Sequence, residues 1–151
     1  MMNEQIEALA FRRLQWLNAI EAGDVDGMVY FLNKDVVISL PENLNLKGKQ
    51  AARRWLNGVF RKYCPKWLIS KPSRLTAANC ALEKGAFDLL FMTRADRESV
   101  QYRGDYSLLW SLDNNDKWRV ELAYFTAFST EYSDRIYYFN ENSENMPSEI
   151  V

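Results

Sequence analysis

The apolar residues of this chain change their spacing once, near Pro65, and that change limits the folds open to it. Before it, Ile6, Leu9, Ala10, Leu14, Trp16, Leu17 and Ile20 recur at helical spacing and predict a first helix that stops at Gly23. Asp24 then caps a short helix over DVDGMVYFL, and VVISL reads as a first strand. Gly48 to Tyr63 form a third helix whose apolar face carries Ala52, Trp55, Leu56, Val59, Phe60 and Tyr63. After Pro65 the stretches WLIS, ALEKGAFDLLFM, VQYRGDYSLLWSL and KWRVELAYFTAFS are strand-like, with TRADRES and DNND as hairpin turns. Three helices ahead of most of a sheet predict an α+β domain, its helices packed on one face of a bent antiparallel sheet.

At 151 residues and 48% hydrophobic content, the chain is long enough for one sizeable core and needs no second domain. Residues 1–130 form that domain. Residues 131–151, EYSDRIYYFNENSENMPSEIV, are acidic apart from the aromatic cluster Ile136 to Phe139 and read as a tail anchored by Tyr137, Tyr138 and Phe139. No run of eighteen apolar residues is present, and the N-terminal stretch carries acids without a small-residue cleavage site, so a cytoplasmic protein without a membrane span is expected.

There is no histidine. That excludes Ser-His-Asp and Cys-His catalysis, His-containing zinc motifs and the usual proton shuttle near neutral pH. Acid–base chemistry would have to come from Asp, Glu, Tyr, Lys or Cys. Cys64 and Cys80 lack CxxC spacing and read as buried structural thiols. No phosphate-binding glycine motif occurs, so neither a metal nor a cofactor is expected.

Three segments together resemble the nuclear transport factor 2-like superfamily, which includes SnoaL-like cyclases and ketosteroid isomerase: LNAIEAGDVDGMVYFLNKDVVI, LKGKQAARRWL and RGDYSLLWSLDNNDKWRVELAYF. The resemblance spans roughly residues 5 to 129 and implies a sheet rolled into a cone around an internal cavity, with pairing through the outer sheet face. It does not carry the isomerase residues. Trp16 stands at the position of the oxyanion-hole tyrosine, Leu40 at that of the general base, Leu108 at that of the protonated aspartate and Leu56 at that of the supporting tyrosine. A site without base or oxyanion donors cannot run that chemistry, so the resemblance implies a relative that is not a ketosteroid isomerase.

The same matching turns Glu121, Ala123 and Phe125 toward the cavity and Trp118, Val120, Leu122 and Tyr124 outward. An interior Glu121 needs a partner, and Arg13, central on the first helix's apolar arc, is the one expected. Arg13 could equally hold an anionic ligand group in a pocket walled by Trp16, Tyr106, Leu108, Trp110 and Phe125. Glu42, in the loop after Pro41, is a second candidate acid or base. An outward Trp118, Val120, Leu122 and Tyr124, with Leu109 beside them, would make an exposed apolar patch and imply a homodimer.

Between Asn43 and Leu82 there is no acid, yet nine of the 19 basic residues lie there, including Lys47, Lys49, Arg53, Arg54, Arg61 and Lys62. A solvated helix face is preferred to a nucleic-acid surface, because Phe60 and Tyr63 are needed in the core and leave Trp67 alone to stack on bases. The expected function is binding of a largely apolar small molecule, with cyclisation, isomerisation or dehydration as the chemistry implied by the resemblance. The alternative is a non-catalytic dimerisation module whose cavity is filled by its own side chains.

Overall fold

A computed structural model describes residues 2–69, 72–95 and 98–133, with side chains described at 4–41, 43–69, 72–95 and 98–126. The aromatic cluster and most of the acidic tail lie outside the described residues. Helices α1 (Met2–Ala22) and α2 (Val25–Tyr30) lead into β1 (Leu32–Leu40), a single 3-10 turn (Pro41–Asn43) and β2 (Leu44–Lys47). Helix α3 (Lys49–Lys62) follows, then β3 (Tyr63–Ile69), β4 (Ser73–Thr76), β5 (Cys80–Thr93), β6 (Ser99–Leu112) and β7 (Trp118–Ser133).

Local chemistry explains the breaks between helices. Gly23 takes φ 70°, which ends α1 in the left-handed region open to glycine. Asp24 caps α2 by accepting the Gly27 amide at 3.0 Å. On α1, Leu9, Arg13, Trp16 and Ile20 are spaced to fall on one stripe, and Leu9, Trp16 and Ile20 are buried. Leu14, expected on that face, instead points outward with Phe11, and both are more than half exposed.

The seven strands form one curled, unclosed sheet in the order β2-β1-β7-β6-β5-β3, with β4 on the free part of β5. It is antiparallel except where β1 runs parallel to β7. β2 and β4 are four-residue strands that the sequence pattern does not announce. The core lies between the inner sheet face and α1 to α3, and includes Trp110, Phe87, Val36, Val120 and Ala52.

A bulge in β7 changes which of its residues face that core. Leu109 pairs with Leu122 but Trp110 pairs with Val120, so Glu121 is an extra residue with no partner on β6. Before the bulge Trp118 and Val120 face inward; after it Ala123 and Phe125 do. Glu121 is exposed, and Leu122 and Tyr124 stay on the outer face. The inward register expected for Ala123 and Phe125 is present. Those expected for Glu121, Trp118 and Val120 are corrected by the one-residue slip. Trp118 is sealed from the helix side, where its indole Nε1 donates to the Gln5 carbonyl at 3.0 Å.

Candidate functional site

A pocket of about 100 Å³ lies between α1, α3 and the inner sheet face. Trp16 and Ile20 from α1, Trp55, Leu56, Val59 and Phe60 from α3, Leu40 and Pro41 at the end of β1, and Trp67, Phe87, Ala123 and Phe125 from the sheet all contribute to its wall. The spacing on α3 explains its share, because positions 52, 55, 56, 59 and 60 form one face of a helix. No charged side chain is among the described wall residues, and no tyrosine, cysteine or lysine either. The Glu42 side chain, next to Pro41, lies outside the described residues.

Two carboxylates of β5 are fully buried away from this wall: Asp88, which accepts from Gln101 Nε2 at 2.7 Å and Arg103 Nε at 3.0 Å, and Glu83, which gathers a further cluster. Arg13 reaches it from α1 and donates from Nε to Oε2 at 2.8 Å. Tyr106 of β6 donates its hydroxyl to the same oxygen at 3.1 Å. Arg74 of β4 places Nη2 3.5 Å from Oε1, an oxygen that otherwise has no hydrogen-bond partner. Tyr106 lies against Gly85, where a Cβ would meet its ring at 2.8 Å; a glycine is what lets the ring approach this closely.

The protonation states follow from these contacts. Burial pushes the Tyr106 phenol well above its ordinary value, and the Glu83 charge adds to that. Burial alone would lower Arg13, but the hydrogen bond and charge of Glu83 outweigh it and hold the guanidinium above its ordinary value. A neutral phenol and a charged guanidinium on one carboxylate oxygen make a stable ion pair rather than a set of groups poised to exchange protons near neutral pH.

Aromatic rings separate the two regions. Tyr106 stacks on Phe125 with centroids 6.2 Å apart, and Phe125 packs on Trp67 and Phe87 at 5.5 Å each. Trp16 meets Trp110 edge to face at 5.7 Å, and the buried indole nitrogens of both lack a hydrogen-bond partner. Of the site residues expected from sequence, Trp16 and Phe125 line the pocket, while Arg13 and Tyr106 join Glu83 instead. Leu108 and Trp110 are buried in the core. The expected Arg13–Glu121 pair does not form, because Glu121 faces solvent. Glu83 is not among the residues expected from sequence: it shares one strand face with the buried Ala81 and Phe87, and only its pairing across the fold singles it out.

No protein-family model matches the sequence, and no curated protein matches it. Solved structures do. A ketosteroid isomerase-like protein from Erwinia carotovora atroseptica superposes with a TM-score of 0.69 at 16% identity, over 84% of this chain and 98% of the other. An NTF2-like superfamily protein from Salmonella enterica gives 0.73 at 12% identity, over 85% and 94%. A hexachlorocyclohexane dehydrochlorinase of type 2 gives 0.73 at 9%, over 86% and 92%. The chain has the nuclear transport factor 2-like fold.

Within the nuclear transport factor 2-like fold, three positions matched to isomerase catalytic groups, Trp16, Leu40 and Leu56, contribute to the pocket wall. They make that wall apolar. The fourth, Leu108, is buried next to Ala123, with which it pairs across β6 and β7.

Three further expectations concern features away from the pocket. Cys80 is exposed and Cys64 half-buried, both free, so neither is the buried thiol that was expected. Among the described residues no three of the metal-ligating types gather. No described helix is long and apolar enough to cross a membrane.

Proposed function

We propose that the protein binds a small, largely apolar compound carrying one hydrogen-bond acceptor, in the pocket between α1, α3 and the sheet. The observation that carries this reading is the wall itself, formed by apolar side chains around about 100 Å³ of space. A hydrocarbon-lined cavity of about 150 Å³ takes benzene, so a single small ring or the end of a longer molecule is the scale that suits this one. The indole N–H of Trp16, a wall residue, is buried without a partner, and a turn of the ring toward the pocket would present it to an acceptor group. Acid and base groups are missing from the described wall, which favours binding over turnover. The dehydratase and dehydrochlorinase activities of proteins with this fold belong to those proteins.

Cyclohexanone, cyclohexane and benzene titrated against the tryptophan fluorescence test the reading, because Trp16, Trp55 and Trp67 all line the pocket. Saturable changes are expected, and Ala52→Leu, which fills the pocket, should abolish them. Trp16→Phe should weaken cyclohexanone about fivefold while sparing cyclohexane, the loss of one neutral hydrogen bond. No saturable change with any of the three would end the proposal.

A further inference from the structure

Tyr30, at the end of α2 and 52% exposed, carries a cluster of cations that the pocket does not use. Two guanidinium groups lie over its ring, Arg12 from α1 at 5.1 Å and Arg119 from β7 at 4.9 Å from the centroid. Arg12 fixes itself by donating Nε to the Trp118 carbonyl at 3.1 Å, and its buried Nη2 has no hydrogen-bond partner. Arg119 is held by Asp113 through Nε at 3.1 Å and by the Tyr30 carbonyl through Nη1. Lys49 and Arg53 approach from α3; Arg53 pairs with Asp26, and Lys49, close enough to interact electrostatically with Arg119, Arg53 and Tyr30, has no ion-pair partner among the described residues.

The charges do not cancel. Arg12, Arg119, Lys49 and Arg53 face Asp113 and Asp26, four positive groups against two negative ones. The titration behaviour of the cluster agrees with that excess. The Lys49 ammonium lies below its ordinary value, through burial first and then repulsion from Arg119 and Arg53. The Tyr30 phenol lies below its own, through Arg12 foremost and Arg119 after it. A bound anion would relieve both.

We propose that Arg12, Arg119 and Lys49, with the Tyr30 hydroxyl, form a binding site for a tetrahedral oxyanion, a phosphate or the phosphoryl group of a phosphate monoester. Guanidinium forks and an ammonium converging from three elements suit several oxygens at different angles. The surplus of two positive charges matches a dianion better than a carboxylate.

Calorimetry and phosphorus NMR line widths, at low ionic strength because exposed charges are screened by salt, test the site with inorganic phosphate and with phenyl phosphate. Saturable binding is expected, weakened about tenfold in Lys49→Gln and retained in Lys49→Arg, the cost of one charge-assisted contact. Tighter phenyl phosphate would identify a monoester as the ligand, and tighter inorganic phosphate the free ion. Cyclohexanone binding in the pocket should be the same in Lys49→Gln as in the unaltered chain. Absence of saturable binding for both anions, or an affinity that Lys49→Gln leaves unchanged, overturns the proposal.

Discussion

Glu83 is shared by two arginines and a tyrosine inside the fold, so its removal leaves Arg13 and Arg74 facing a space with no countercharge. Breaking a buried pair from one side costs about 3 kcal/mol, and Glu83→Ala should lower the unfolding free energy by about that much in urea titration. Replacing the set together, Arg13→Met and Arg74→Met with Glu83→Leu, should restore most of it, since the penalty comes from the stranded charges. Asp113 acts through the backbone instead. It accepts the Asn115 amide at 2.8 Å, the Lys117 amide at 3.0 Å and Arg119 Nε at 3.1 Å, which holds the β6–β7 turn. The Lys117 amide foremost, with Arg119 and Asn115, keeps its carboxyl below the ordinary aspartate range. A depressed value in the folded state stabilises above the unfolded value and loses that contribution as pH falls through the folded one. Asp113→Ala should therefore cost about 1–2 kcal/mol at pH 7, and the gap between variant and parent should close as pH drops below about 4.

At the scale of elements, β7 shows most plainly what the sequence could and could not reveal. Trp118 and Val120 fall on one parity of the strand and Ala123 and Phe125 on the other, all four buried. Two apolar runs out of phase by one residue are the imprint of a bulge, and Glu121 stands at the junction. The resemblance turns Ala123 and Phe125 inward, and a strict period of two then carries that choice across the bulge to Glu121, where it fails. Deleting Glu121 should remove the bulge and bring Trp118, Val120, Ala123 and Phe125 onto one parity, so that all four stay buried and the melting temperature falls by no more than a few degrees. Glu121→Gln, at an exposed position, should change stability by less than about 0.5 kcal/mol and leave ligand titrations unaltered. The helices were easier to read. The α3 face was legible because five wall positions repeat at helical spacing, and Arg13 stood out on α1 for the same reason. Its partner Glu83 was not, because the pairing joins residues 70 positions apart and depends on how the sheet curls.

For the whole molecule, two of the residues expected on an outer, subunit-contacting face lie inward instead, against the helices. Trp118 and Val120 are buried within a single chain, which leaves Leu109, half-buried, with Leu122 and Tyr124, 39% and 50% exposed, as the patch on which a homodimer would rest. Tyr124→Glu should then convert a dimer to a monomer in sedimentation velocity with little change in melting temperature, whereas Trp118→Glu should unfold the chain. A monomer at tens of micromolar in the unaltered protein would remove the dimer proposal. The nearly hydrocarbon wall between α1, α3 and the sheet has a consequence in heat as well as in affinity. A guest entering such a space gives up its hydration without forming many directional bonds, so its binding should carry a negative heat capacity change and, at 25 °C, a favourable enthalpy. Cyclohexanone and cyclohexane should show nearly the same heat capacity change, since they remove nearly the same apolar area from water, and differ mainly in the enthalpy contributed by one indole N–H.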